Sequence, residues 1–161
     1  MKGLLFSWLV VYLVQRCSSQ SIQCTHGWIR QNSKCYFLSN TKETYVGASA
    51  FCHAFDSKLA EPITQDEVTF LSKTVADRGN HTSFYIGVND IFLEGEWVYA
   101  YVRTPLKVQP PWINGGPDNF HEEDCVELYS TNDGKWTDVK CTTRLYYICE
   151  YDIEAEPLPI G

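Results

Sequence analysis

Residues 123–150 read EDCVELYSTNDGKWTDVKCTTRLYYICE. Three short runs in this stretch, 126–130, 135–138 and 146–150, are rich in aromatic and β-branched residues and predict strands. Asn132-Asp133-Gly134 marks a turn between the first two, because these residue types accept left-handed backbone. Cys125, Cys141 and Cys149 sit within or beside the runs.

Outward from that segment the pattern changes twice. Runs 84–88 and 96–99 predict two further strands. Residues 99–125 carry Pro105, Pro110, Pro111 and Pro117 with Gly115 and Gly116, which argues against regular structure. A loop of that length inside a compact domain is usually functional. Further upstream, Tyr45, Ala48, Cys52, Phe55 and Leu59 fall at helical spacing and predict one apolar stripe, with a start between Asn40 and Thr44 and first turns weakened by Gly47. A second helix opens on Thr64-Gln65-Asp66-Glu67, a capping box, with Ile63 placed to staple onto Val68. Leu71 and Val75 continue its buried face and Gly79 suits its stop. Helices followed by strands make the fold class α+β.

The 161 residues suit one domain, and 44% apolar with 14% aromatic residues can build a core, which excludes a disordered chain. The formal charge of −7 argues against nucleic acid and anionic lipid as partners. Residues 1–19 read as a secretory signal: Lys2, an apolar run over 4–14, then small residues Cys17, Ser18 and Ser19. That run is too short to span a membrane, and the expected location is extracellular. Removal of the signal would take Lys2 and Arg16, bringing the charge to −9, and would leave six cysteines, an even set whose 15 pairings spacing alone does not resolve. Asn80-His81-Thr82 is a glycosylation sequon and predicts an exposed loop. The domain is placed at 20–150, and 151–161 reads as an acidic, proline-containing tail.

Carboxylates crowd the long loop. Asp118, Glu122, Glu123 and Asp124 lie close in sequence, Asp138 follows in a strand, and Asp90 and Glu94 precede. Such groups repel unless they are solvated or neutralised by a cation, and hard oxygen donors suit Ca²⁺. A solvated acidic loop is the competing reading of the same residues. Nothing points to an enzyme: His26, His53, His81 and His121 are scattered, without H-E-x-x-H or a nucleophile elbow. His121 beside Glu122 makes a poor zinc site by itself.

The ordered set of motifs resembles the C-type lectin-like domain in its long form. His26-Gly27-Trp28-Ile29 with Cys35-Tyr36-Phe37 is similar to that family's N-terminal hairpin. Tyr85-Ile86-Gly87-Val88 stands where the family has W-I-G-L, followed by Glu94-Gly95-Glu96-Trp97. Trp112, Pro117, Glu123-Asp124-Cys125-Val126, Gly134-Lys135-Trp136-Thr137-Asp138 and Ile148-Cys149-Glu150 complete the series. The resemblance implies two helices with two small antiparallel sheets and a long ligand loop. It also implies the pairs Cys24–Cys35, Cys52–Cys149 and Cys125–Cys141.

In sugar-binding members one calcium is held by a tripeptide around a cis proline, a Glu and a W-N-D pair, and two sugar hydroxyls complete its shell. E-P-N accompanies mannose-type and Q-P-D galactose-type sugars. Here the tripeptide is Gly116-Pro117-Asp118, with Glu123, Thr137 and Asp138 as the remaining positions. Asp118 leans to galactose, and Phe120 stands where several galactose-type members carry a stacking ring. Gly116 supplies no side-chain oxygen and Thr137 offers at best a hydroxyl, so two amide or acid ligands are lost. Trp112 reads as a core residue. A second implied calcium site takes Asp90, Glu94, Asn119, the Glu123 backbone and Asp124. The expectation is a secreted calcium-dependent lectin of glycans, leaning to galactose and acting in innate defence. Avidity would come from further copies of this chain or from multivalent targets. A protein-binding or mineral-associated domain of the same fold is the alternative.

Overall fold

The computed structural model describes residues 23–119 and 122–153. The expected signal at 1–19, Cys17, Phe120 and His121 lie outside these residues, as does most of the expected tail.

The chain opens with the hairpin β1 (Ile29–Gln31) and β2 (Lys34–Leu38), and α1 (Tyr45–Ala54) follows. Thr44 caps α1 by accepting the Gly47 N–H at 3.2 Å. The helix is shorter than the apolar spacing suggested. Phe55 is its C-cap and 58% exposed, and Leu59, although buried, belongs to β3 (Lys58–Leu59). The cause is local: Asp56 adopts φ 49°, and Ser57 donates to the Cys52 carbonyl through both its N–H (3.1 Å) and its hydroxyl (2.6 Å), which ends the helix.

The second helix, α2 (Gln65–Ala76), carries the expected capping box. Thr64 Oγ1 accepts from Glu67 N and the Glu67 carboxylate accepts from Thr64 N. Val68, Leu71 and Val75 form its buried face. The strands β4 (Ser83–Asn89), β5 (Val98–Tyr99), β6 (Cys125–Tyr129), β7 (Lys135–Val139) and β8 (Tyr146–Asp152) follow. Strand β5 starts two residues later than predicted, because Glu96 N–H is spent in a turn on Leu93. Strand β8 runs to Asp152, and Ile153 N–H donates to Ser33 at 2.7 Å, so the ordered domain continues past 150.

The strands make two antiparallel groups, β1-β2-β8 with β3 and β4-β6-β7 with β5, in keeping with the two small sheets that the resemblance implies. These join through a parallel pairing of β4 with β8, Phe84 opposite Tyr146 and Tyr85 opposite Tyr147. The result is one eight-stranded mixed path. Helix α2 packs on the face bearing Phe84, Ile86, Val126, Leu128 and Trp136, and α1 packs by Tyr85, Tyr147 and the Cys52–Cys149 bridge. All three implied disulfides are present: Cys24–Cys35, Cys52–Cys149 and Cys125–Cys141.

A buried ion network that the sequence did not announce ties these parts together. Lys34 Nζ lies 2.9 Å from Glu67 and 3.2 Å from Glu150, and Lys58 Nζ lies 2.7 Å from Glu61 and 3.5 Å from Glu150. Glu150 and Glu61 are fully buried. Burial pushes the Glu150 carboxyl up against the opposing pull of both lysines. Glu67 is held below its ordinary value: Lys34 and the N–H groups of Ile63 and Thr64 outweigh the desolvation that would raise it. One side chain therefore serves both as helix cap and as ion-pair partner.

Candidate functional site

Strand β7 positions the site. Its Trp136 is fully buried and its backbone clamps the long loop: Trp136 N–H donates to the Pro111 carbonyl at 3.1 Å, and the Trp136 carbonyl accepts from Ile113 N–H at 2.8 Å. Trp112 packs between Trp97 and Trp136, with centroids at 5.0 and 5.9 Å, so the loop tryptophan belongs to the core as expected. The next residue on that face is Asp138, 5% exposed. Its Oδ2 accepts the N–H of Asp118 at 2.9 Å and of Asn119 at 2.6 Å. Asn119 Oδ1 in turn accepts the Glu123 N–H at 3.0 Å, closing the loop on itself. The Gly116–Pro117 peptide is cis.

This stitching brings Asp118, Glu123 and Asp138 together, with one oxygen from each within 4.8 Å of the others. Among the described residues no other group of three or more acidic, histidine or cysteine side chains meets that spacing. Gly116 stands beside them. A Cβ built on it would lie 3.9 Å from Asp138 Oδ1 and 3.3 Å from the Ile113 carbonyl, so the direction a side chain would take leads toward the acids. Thr137, half-buried, makes at 3.5 Å only a marginal contact with the Asp138 carbonyl.

Asp90, Glu94 and Asp124 are also neighbours, but they do not form a close trio. Asp90 N–H donates to the Asp124 carbonyl at 3.1 Å, and its Oδ2 accepts from Gly95 N–H at 2.8 Å. Its Oδ1 is buried with no hydrogen-bond partner. Burial first, then the charges of Glu94 and Asp124, push the Asp90 carboxyl above its ordinary value against the Gly95 hydrogen bond. The Asn119 side-chain oxygen, expected as a ligand there, is engaged by Glu123 N–H. Asn80 is exposed at the opposite end of β4 from Asp90.

The chain's relatives can now be placed beside this geometry. Residues 41–151 match the lectin C-type domain. The chain belongs to that family. It is similar to zebrafish (Danio rerio) collectin-11, 36% identical over 122 residues that make up 75% of this chain and 44% of that one. It is likewise similar to chicken (Gallus gallus) collectin-10, 37% identical over 74% of this chain and 42% of the relative. The C-type lectin chain thus spans less than half the length of these relatives. Among solved structures, the mouse scavenger receptor C-type lectin carbohydrate-recognition domain superposes with a TM-score of 0.73 at 31% identity, covering 83% of this chain and all of that one. Human lithostathine superposes equally well at 25% identity, covering 81% and 92%.

Proposed function

We propose that this domain is a secreted, calcium-dependent carbohydrate-binding protein that recognises terminal galactose-type sugars on glycans, in the setting of innate defence. The observation that supports it best is the Asp118–Glu123–Asp138 trio, seated at the cis Gly116–Pro117 turn. Three carboxylates are a hard, anionic donor set of the kind Ca²⁺ prefers, and they supply fewer than the 6–8 oxygens it takes. Sugar hydroxyls and water would provide the rest. The orphaned buried Oδ1 of Asp90 fits a second cation beside Glu94 and Asp124, one that would order the loop without touching sugar.

When bound, calcium supplies an electrophilic centre for two vicinal hydroxyls. The chain's own residues set the selectivity. Asp118 presents an acid that accepts a hydroxyl proton, and Gly116 presents none. Phe120 is proposed to cover the apolar face of galactose. Similarity to collectins and to a carbohydrate-recognition domain supports the glycan reading. Asn80 is proposed to carry an N-linked glycan, remote from the trio.

The loss of side-chain oxygen at Gly116 favours one second reading, a domain of this fold that binds protein without calcium. A galactose column in millimolar calcium separates the two. Retention with release by chelator or free galactose is expected of the lectin. Passage straight through, or retention that chelator leaves unchanged, belongs to the protein-binding reading.

A further inference from the structure

We propose that Asn114–Gly115 is a site of spontaneous covalent modification, at which the asparagine deamidates through a cyclic imide and the products reshape the ligand loop. The proposal depends neither on calcium nor on sugar.

The reaction needs an asparagine, a following residue without steric bulk and a backbone N–H free to lose its proton. Asn114 is the one asparagine in the sequence that a glycine follows. The two residues are the centre of a turn closed by the Gly116 N–H on the Ile113 carbonyl at 2.8 Å, with Gly115 at φ 93°. Both are exposed. Among the described residues, neither the Gly115 N–H nor the Asn114 side chain meets a hydrogen-bond partner. A Cβ on Gly115 would find nothing within 4 Å, so the peptide joining the pair has room to swing. The flanks are fixed, Ile113 N–H by the Trp136 carbonyl and Asp118 N–H by Asp138. Freedom is therefore confined to the central peptide, opposed by one turn bond, and rotation about Asn114 ψ brings the Gly115 nitrogen onto Asn114 Cγ.

The chemistry needs only water. Solvent base takes the Gly115 amide proton, and the nitrogen's electron pair attacks Asn114 Cγ. The N–Cγ bond forms, the Cγ–Nδ2 bond breaks, and ammonia leaves with a proton from solvent. Water then opens the five-membered imide. Attack at Cγ restores the ordinary chain with an aspartate. Attack at the former Asn114 carbonyl carbon gives isoaspartate, whose backbone runs through Cβ and Cγ and is one carbon longer.

Asp133–Gly134 is the counter-case within the same chain. Aspartate before glycine closes the same imide with loss of water, but here the Gly134 N–H donates to the Tyr129 carbonyl at 3.1 Å and the residue is buried. A Cβ there would collide with the backbone of Ser72 in α2, so that peptide has no space to swing. Other asparagines are tied by their side chains: Asn89 Nδ2 donates to the Tyr45 hydroxyl at 3.1 Å, and Asn119 Oδ1 accepts the Glu123 N–H.

Both products place a new carboxylate two residues before Gly116, whose Cβ direction leads toward Asp138 Oδ1. Isoaspartate also enlarges the ring that the Gly116–Ile113 hydrogen bond closes, so the turn entering the cis Gly116–Pro117 peptide loses its form.

Folded, disulfide-intact protein would be aged at physiological temperature in mildly alkaline buffer. Peptide maps would follow each asparagine, and isoaspartyl methyltransferase labelling would locate isoaspartate. Asn114 is expected to lose its amide on the order of tenfold faster than any other asparagine, because only its successor lacks a Cβ. Isoaspartate should gather at 114 and not at 133. Thermolysin should cut between residues 112 and 118 several-fold faster in aged than in fresh wild type, whereas aged Asn114→Gln keeps the fresh rate. An Asn114 amide that outlasts the others, or isoaspartate forming at 133 as fast as at 114, overturns the site. Equal cleavage of fresh and aged wild type, once Asn114 is converted, overturns the effect on the loop. Should Asn114→Gln not fold, the wild-type maps and cleavage rates decide both.

Discussion

Asp138 Oδ2 accepts the Asn119 N–H at 2.6 Å, so a carboxylate on a core strand holds the backbone of the ligand loop directly. The same oxygen takes the Asp118 N–H, while Oδ1 faces the space beside Gly116. Asp138 thus shapes the loop even before any ion is considered. Hydrogen bonds to a charged acceptor contribute about 1.5–3 kcal/mol each to stability. Asp138→Ala should lower stability by about 2–3 kcal/mol in chelator and speed proteolytic cleavage between residues 114 and 124. Denaturant melts and limited proteolysis read both; an unchanged cleavage rate would show that the loop is held by something else.

On the proposed calcium reading, Gly116 sets the strength of cation binding. Its Cβ direction leads toward Asp138 Oδ1, and among the described residues the Ile113 carbonyl is the only tight neighbour, at 3.3 Å. Gly116→Gln should add an amide oxygen where the galactose-type pattern has one. Calcium affinity measured by titration is expected to rise about three- to tenfold, about 1 kcal/mol. A fall would mean that the longer side chain displaces the Ile113 turn instead of joining the trio.

Lys34 is the hub of the buried network. Truncating one partner of a buried ion pair leaves the others uncompensated, at a cost of about 3–5 kcal/mol. Lys34→Met should therefore destabilise by that amount, measured in chelator by urea melts. Adding Glu67→Gln and Glu150→Gln should recover part of the loss, because the orphaned charges are gone.

The longest crosslink acts on the unfolded chain. Cys52–Cys149 spans 97 residues, and chain-entropy models give about 4–5 kcal/mol for closing such a loop. Cys52→Ala/Cys149→Ala should lower the melting temperature far more than Cys24→Ala/Cys35→Ala, whose bridge spans 11 residues. Equal losses would place the effect in native packing around Cys52.

What the sequence made legible was whatever is local or ordered along the chain. The capping box at Thr64 and the turn at Asp133–Gly134 depend on adjacent residues and came out as read. The disulfide pairs and the family came from the order of motifs, and residue composition alone left 15 pairings open. The end of α1 was missed because the apolar spacing of Phe55 and Leu59 continues through a chain reversal; only the backbone of Asp56 and the Ser57 bonds reveal the stop. The parallel pairing of β4 with β8 joins segments some sixty residues apart and has no local signature. Lys34, Glu67 and Glu150 likewise look like ordinary surface charges until the fold brings them together. At the site, the trio was legible because its members match family positions, whereas the engagement of Asn119 by Glu123 N–H depends on loop conformation.

Glu127 supplies a pH dependence that needs no metal. It lies on β6 opposite Thr137, and burial, with help from the Glu123 charge and against a Ser83 hydrogen bond, pushes its carboxyl up to about 7 from an ordinary 4.5. Between those two values the folded chain holds a proton that the unfolded chain has lost. Linkage then makes stability fall as pH rises through this window, the reverse of a salt-bridged acid. Glu67, held low, has the opposite sign, but its contribution is lost only below its own ordinary value and leaves the window clear. Glu150 shares the sign of Glu127, so removing Glu127 should flatten the slope without abolishing it. In chelator, the wild type is expected to lose about 1–2 kcal/mol through Glu127 between pH 5 and pH 7.5, and Glu127→Gln to recover that amount at the upper end. Urea melts at five pH values across the window measure it. A Gln variant with the wild-type slope would show that Glu127 is ionised in the folded domain throughout, with its charge met by solvent at the sheet's open face.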